Sequence, residues 1–393
     1  MPKIHIPAIG YRQGGRQMLV TAMSPTDLVR MVRKPEAWDP VKTSQHGNRP
    51  RDKAHLQGIV KYLEEEEHFV LGAAVLYLTE REAEFKPMQI EGVSTDKDAA
   101  SMGTLAVDIG ALFDIGDGQH RIGAYEHIVQ SRDEDGDPVI ERLREGGQPL
   151  IIVIEDDPRR RAQDFADLQR NVKAPTQSLG QSMDRRQPIN RELNNLFDDV
   201  PVLVDRVEYQ KDNPGKLSAK LFSFKTVRYV SGLLLVGNAY RSPSTMDRAV
   251  NGRFEGSDAE PETARQELVD FWTALGELTL FADVLDDSVK AYELRQDTYL
   301  LSAGVLYAVA MAVYLSKQDG LSVTEAVRSM DSFNFSRTKK VKEITAADTP
   351  FAGNLIDSET GKLVAGRTAW ETAAEILRAH VAKEHEANTA NAQ

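Results

Sequence analysis

The sequence predicts a mixed α/β protein in which a helical region follows an α/β core. Three observations predict this fold class. Leu150–Ile154 is a short continuous apolar run, which is typical of a buried strand. Apolar segments alternate with amphipathic segments on both sides of it, and from residue 264 onward helical spacing dominates. We therefore expect a core over residues 1–240, a helical region over 264–385 and a disordered tail over 386–393.

The segments before the core strand alternate between helix and strand. Ser24 and Pro25 are a capping hydroxyl and a first-turn proline, so they predict a helix that ends before Pro35. A second helix is expected from Arg51 to about Glu67. The predicted strands are Phe69–Leu78, Glu84–Ile90 and Leu105–Ile115, the last being one strand or two strands broken near Gly110.

Helices dominate after the core strand. Two segments are predicted otherwise: Val200–Val207 as a strand, and the Ser- and Pro-rich 241–263 as a linker. Thr176 or Ser178 caps a short predicted helix that ends at Met183, and no helix-turn-helix is evident. The other predicted helices are Arg159–Asn171, Arg191–Phe197, Leu217–Val236, Ala264–Leu285, Tyr292–Leu315, Val323–Ser329 and Ala369–His380.

The composition excludes several classes of protein. The chain has 393 residues and no cysteine, so disulfides, thiolate nucleophiles and sulfur-ligated metal sites are excluded. No segment approaches the roughly 20 apolar residues that cross a bilayer, and the N-terminus does not resemble a signal peptide. We therefore expect a cytoplasmic protein without a membrane partner.

Positive charge is concentrated in two regions of an acidic chain. The net charge is −12, yet residues 1–60 hold ten basic and four acidic groups and residues 158–228 hold fourteen basic and nine acidic groups. Contact with nucleic-acid phosphates needs local Lys and Arg rather than a basic total. The two regions either form a phosphate-binding surface or are ordinary solvated surface.

The most informative segment is Asp114–Ala124, where an apolar run passes through an Asp-Gly turn into an amphipathic helix. Gly118 lets the backbone approach a ligand, the first helical amides lack intrahelical partners, and Arg121 can clamp an anion. Alternatively, Asp117 caps the helix and Arg121 pairs with a carboxylate such as Asp114 or Glu126. On a helical wheel, His120 faces away from the apolar stripe.

Asp117-Gly118-Gln119-His120-Arg121 spells the motif that names the DGQHR-domain proteins, and the chain resembles their DndB family over roughly residues 45–230. That family belongs to the DNA sulfur (phosphorothioate) modification system of bacteria and archaea. The resemblance implies a ParB/sulfiredoxin-like core whose Gly-x-x-Arg segment contacts nucleotide phosphates. It also implies transcriptional control of the modification operon through its operator DNA. The alternative that it implies is an NTP hydrolase acting in DNA modification or defence.

With this resemblance, each motif residue has an expected role. Gly118, Gln119 and Arg121 bind the phosphates of an NTP, Asp117 holds Mg²⁺ or positions water, and His120 is the acid or base. The expected partners are operator DNA, a nucleotide, other DNA sulfur-modification proteins and further copies of the chain. The residues expected to contact DNA are basic and lie in the second positive region: Arg159, Arg160, Arg161, Arg170, Lys173, Arg185 and Arg186.

Overall fold

The computed structural model describes residues 2–34, 51–88, 100–132, 136–170, 174–240, 242–256, 259–337 and 343–391. The chain divides into two compact units, Met1–Lys173 and Ala174–Gln393. A core that extends to residue 240 was expected. The helices between residues 174 and 240 instead belong to the second unit, because their apolar side chains join its core.

The first unit contains seven strands and five helices within the described ranges. The strands are β1 Lys3–Gln13, β2 Arg16–Met23, β3 Ala74–Leu78, β4 Ala83–Pro87, β5 Ser101–Asp108, β6 Asp114–Asp117 and β7 Gln148–Ile154. The helices are α1 Pro25–Met31, α2 Lys53–Glu65, α3 Gln119–Ser131, α4 Pro138–Glu145 and α5 Pro158–Arg170.

The strands form one sheet in the order β4-β5-β1-β2-β7-β3-β6. β3 and β7 are parallel and the other neighbouring pairs are antiparallel. Leu150 and Ile152 of β7 are fully buried, which confirms the predicted core strand. The segment 105–115 contains parts of two separate strands, β5 and β6. The predicted mixed α/β class is confirmed.

Helices cover the sheet on both faces. On one face, Leu28 of α1 and Ile122 of α3 join the sheet core, and α2 and α4 pack against the outer side of α3. On the other face, α5 lies over Tyr77 of β3 through Arg161 and Asp164. The N-terminus of α3 and the middle of α5 therefore both lie beside β3 and β6.

The second unit is almost entirely helical. Two short strands, β8 Val207–Glu208 and β9 Phe222–Ser223, pair in parallel. The segment 200–207, predicted as a strand, mostly forms turns, and only its last residue, Val207, belongs to a strand. The helices are α6 Gln177–Met183, α7 Pro188–Asp199, α8 Phe224–Val236, α9 Pro243–Glu255, α10 Ala259–Glu277, α11 Thr279–Leu285, α12 Ala291–Asp297, α13 Ala303–Gln318, α14 Val323–Arg328 and α15 Arg367–Asn391.

The apolar core of this unit includes the fully buried Trp272, Phe271 and Phe281. α15 continues through residue 391, where a disordered tail from residue 386 was expected. In the described part of the chain, no helix is both long enough and apolar enough to cross a membrane.

Candidate functional site

The DGQHR motif lies where β6 ends and α3 begins. Gly118 is the N-cap residue of α3, with φ +95°, a conformation that favours glycine. A Cβ atom at Gly118 would lie 2.9 Å from the Cβ of Ala74 and 3.1 Å from Nη2 of Arg121. The glycine therefore serves both the backbone turn and the close packing of the motif on β3.

A cleft of about 320 Å³ opens at this junction. The motif itself, from Asp117 to Arg121, lines it together with Gly72. The other lining residues are mostly apolar or aromatic and come from α2, the segment before β3, and α5: His55, Ile59, Leu71 and Phe165. The cleft therefore combines the first turn of a helix with side chains suited to a flat, apolar group.

Two contacts within the protein hold Arg121 at the cleft. Its Nη2 donates to Oδ2 of Asp117 at 2.7 Å, and its Nη1 donates to the carbonyl oxygen of Gly72 at 2.7 Å. The side chain is 18% exposed, so part of the guanidinium still faces the cleft. The carboxylates considered as partners from the sequence, Asp114 and Glu126, bind other cations. Arg121 therefore forms an ion pair, as the alternative interpretation of the sequence predicted, but its partner is Asp117.

Asp117 does not cap α3, because Gly118 occupies the N-cap position and no side chain accepts a hydrogen bond there. The Asp117 carboxylate lines the cleft instead. In the described ranges, no group of three or more His, Asp or Glu side chains is arranged to hold a metal ion. Mg²⁺ is commonly held by one or two carboxylates together with substrate phosphates, and Asp117 fits that type of site.

His120 is buried, although the helical wheel placed it away from the apolar stripe. α2 packs over that side of α3, so the His120 residue is only 7% exposed. The backbone N–H of Asp52 donates to Nε2 of His120 at 2.9 Å, and the ring of His55 lies edge-on at 4.8 Å between centroids. Because a backbone N–H is always a donor, Nε2 accepts and carries no proton in this contact.

Asp114, at the start of β6, joins two neighbouring elements. It accepts from Nε of Arg33 and from Nη1 of Arg161, both at 2.7 Å. Arg161 also donates to the carbonyl oxygen of Glu155 and lies over the ring of Tyr77 at 5.3 Å. Its side chain is only 16% exposed. The structure therefore uses Arg161, expected to contact DNA, to fasten α5 to the sheet.

Asp164 provides a second attachment for α5. Both terminal nitrogens of Arg16 donate to its carboxylate at 2.7 Å, and the Tyr77 hydroxyl donates at 3.0 Å. Burial, followed by the negative charge of Asp164, raises the pKa of Tyr77. Phe165, the next residue, lines the cleft. The wall that α5 contributes to the cleft is thus fixed to β2 and β3.

Apart from Arg161, the residues expected to contact DNA fall into three groups. Arg159 and Arg160 are exposed at the first turn of α5, and the Arg160 side chain is 67% exposed. Arg185 and Arg186 are exposed between α6 and α7 of the second unit. The remaining two, Arg170 and Lys173, have side chains outside the described part of the structure.

The sequence interpretation missed two residues of this site. The Gly72 carbonyl, 49 positions before Arg121, has no sequence signal as a hydrogen-bond acceptor. Asp52 did have a sequence signal, because an Asp at the start of a predicted helix is a typical N-cap. Its carboxylate accepts from the backbone N–H groups of Ala54 and His55. The backbone bonds, that of His55 foremost, hold the pKa of Asp52 below its ordinary value.

The chain matches the model of a known protein family. A family model described as DndB, DNA-sulfur modification-associated, matches residues 6–382, which is nearly the whole chain. No curated protein matches significantly, and no solved structure does.

Proposed function

Because the chain belongs to the DndB family, we propose that it is a DNA-binding transcriptional regulator of a DNA phosphorothioate modification operon and that a nucleotide in the motif cleft controls its DNA binding. Family membership implies involvement in DNA sulfur modification. The match over residues 6–382 is the observation that carries this proposal, since it spans both units. Its partners are then operator DNA and other proteins of the modification system, with the chain acting as a homo-oligomer in the cytoplasm.

The shape and chemistry of the cleft support a nucleotide as the controlling ligand. The first turn of α3, Gly118 and Arg121 suit phosphates, and the apolar wall around Phe165 suits a base. In this proposal the Gln119 side chain adds a polar contact to the nucleotide, and Asp117 would hold a Mg²⁺ ion, which would neutralise phosphate charge. We also infer that the sheet and α3 form a ParB/sulfiredoxin-like core, which is the fold that the motif implies.

Regulation is favoured over NTP hydrolysis by the position of His120. A general base must reach the proton that it removes, and in the observed conformation Nε2 of His120 already accepts the Asp52 N–H. Hydrolysis with this atom as the base would require α2 to release the histidine. Hydrolysis of ATP, GTP or CTP by the wild-type protein would nevertheless support the hydrolase alternative. Turnover of these nucleotides should therefore be measured alongside DNA binding.

Fluorescence anisotropy with labelled DNA tests the proposal directly. The DNA is a fragment from upstream of a sulfur-modification operon, compared with a scrambled fragment of equal length. Each is titrated with protein alone and with ATP, GTP or CTP and Mg²⁺. We expect a preference for the upstream fragment that one nucleotide changes by roughly 5–150-fold, and an equal effect of that DNA on nucleotide affinity. Equal affinity for both fragments under every condition would rule out the regulator.

The nucleotide site has a matched pair of variants. Arg121→Ala and Asp117→Asn both remove the same ion pair, but only Arg121→Ala removes the cation. In EDTA, without Mg²⁺, we expect Arg121→Ala to weaken nucleotide binding by roughly 10–150-fold, the effect of losing a charge-assisted hydrogen bond. Asp117→Asn should bind at least as tightly as wild type, because a nearby negative charge is gone. Equal weakening in both variants would mean that Arg121 only maintains the structure.

A further inference from the structure

The second unit contains two helices joined by a short turn. α6 has seven residues, α7 has twelve, and four residues, from Asp184 to Gln187, separate them. A turn of three or four residues between two helices is typical of the DNA-binding helix-turn-helix, whose second helix enters the major groove. We propose that α6 and α7 form such a motif and that α7 reads base pairs of double-stranded DNA. This proposal rests on the proposed DNA-binding function.

Side-chain hydrogen bonds fix the turn, which contains no glycine. Asn190 is 1% exposed, and its Nδ2 donates to the carbonyl oxygen of Asp184 at 2.8 Å. Its Oδ1 accepts from Nε of Arg228 on α8 at 2.7 Å. Nδ2 of Asn194 donates to the carbonyl oxygen of Asn190 at 2.8 Å. The turn is thereby fastened to both α7 and α8, so α7 is presented as a rigid element.

α7 has one apolar face and one polar face. The apolar face packs into the core of the unit through Ile189, Leu193, Leu196 and Phe197. Arg191 and Asn195 lie one helical turn apart, so they project from the same side of the helix, and both are exposed. Arginine pairs with the O6 and N7 atoms of guanine, and asparagine pairs with the N6 and N7 atoms of adenine. The polar face therefore carries two side chains suited to base edges.

The charges around α7 favour docking by its N-terminal half. Arg185 and Arg186 are exposed in the turn, where phosphates flanking the groove would lie. Among the described residues, Arg185 and Arg191 form no ion pair, so their charges face solvent. Glu192 is engaged by Nε of Arg265 at 2.8 Å.

The two exposed carboxylates of α7 lie at its C-terminal end. They belong to Asp198 and Asp199, and Asp198 follows Arg191 by about 10 Å along the helix axis. DNA phosphates would repel these carboxylates, so the C-terminal end should remain outside the groove.

Three alanine variants test the assignment: Arg191→Ala, Asn195→Ala and Arg185→Ala, with the exposed Lys383→Ala on α15 as the control. The probes are the upstream fragment and its scrambled counterpart. We expect Arg191→Ala and Asn195→Ala each to lower affinity for the upstream fragment by roughly 5–150-fold while leaving the scrambled fragment unaffected. Arg185→Ala should weaken both and make the log–log salt slope shallower by about 1. Lys383→Ala should bind like wild type.

The possible outcomes separate the two proposals. If wild type prefers the upstream fragment and Arg191→Ala and Asn195→Ala retain that preference, α7 does not read the bases, and the regulator proposal stands. If wild type shows no preference, the regulator proposal fails and the helix-turn-helix assignment fails with it. Melting curves that match wild type, which we expect because the replaced side chains lie outside the core, establish that a loss of binding is not a loss of folding.

Discussion

Replacing Gly118 with alanine should destabilise the first unit through two separable effects. At φ +95° an L-residue costs about 1–2 kcal/mol. The new Cβ would also lie 2.9 Å from the Cβ of Ala74, and overpacking of this kind typically costs about 1–3 kcal/mol. The matched control is Gly136→Ala, because Gly136 has φ +85° and a Cβ added there would meet nothing within 4 Å. We expect a total of about 2–5 kcal/mol at Gly118 and only the first 1–2 kcal/mol at Gly136.

Hydrogen exchange of α3 amides, measured by mass spectrometry, reports the local loss of stability in each variant. Urea denaturation followed by far-UV circular dichroism gives the change in the global free energy of unfolding. A second substitution isolates the contact. Ala74→Gly removes the opposing Cβ, so it should cost less in the Gly118→Ala background than in wild type, by about 1–3 kcal/mol. Two results together would refute the close packing of the motif on β3: equal destabilisation by Gly118→Ala and Gly136→Ala, and no coupling energy between Gly118→Ala and Ala74→Gly in the double-mutant cycle.

Three further predictions concern carboxylates of the first unit. Asp164→Asn should cost about 1.5–3 kcal/mol in urea denaturation, because Asp164 is 20% exposed and accepts both terminal nitrogens of Arg16. Asp114→Asn should cost less than about 1 kcal/mol, because Asp114 is 38% exposed and solvent screens its two ion pairs. Backbone N–H groups lower the pKa of Asp52, and Arg132 foremost lowers that of Asp137. The stability from both carboxylates is therefore present above their ordinary pKa of 3.8 and lost as pH falls through the lowered values. Asn at position 52 retains a capping oxygen but does not titrate. Asp52→Asn should therefore make the melting temperature depend less on pH over this acidic range.

The junction between β6 and α3 was predictable because its causes are local. An apolar run, a glycine and an amphipathic helix follow one another within a few residues, and the structure has a strand, a left-handed glycine and a helix there. The caps of α1 and α6 were predictable for the same reason, since Ser24 and Thr176 each accept a hydrogen bond from the backbone N–H three residues further along.

The β1–β2 hairpin was missed although the sequence carries its signal. Lys3–Gln13 alternates between outward and inward side chains, and Gly14-Gly15 forms a two-residue turn in which both glycines have positive φ. Glycine pairs of this kind between alternating segments are typical of a type I′ hairpin. The two strands of this hairpin lie in the middle of the sheet order.

Other features depend on contacts between distant segments. The burial of His120 requires α2 to pack over α3, and its hydrogen-bond donor lies 68 positions earlier. The acceptor for Arg121 is a carbonyl oxygen, which carries no side-chain identity to recognise in a sequence. The role of Arg161 was also hidden, because its partner Asp114 lies 47 positions away. Charge alone cannot distinguish an arginine that binds DNA from one that fastens a helix.

α5 links the motif cleft to an exposed basic surface within the first unit. Phe165 lines the cleft, Arg161 binds the strand that leads into the motif, and Arg160 is exposed near the start of the same helix. A nucleotide that displaces Phe165 must therefore either move α5 or work against the attachments of Arg161 and Asp164. If DNA phosphates contact Arg160, they act on the same helix. Ligand and DNA would then alter each other's affinity by the same factor, because linkage between two binding sites is reciprocal.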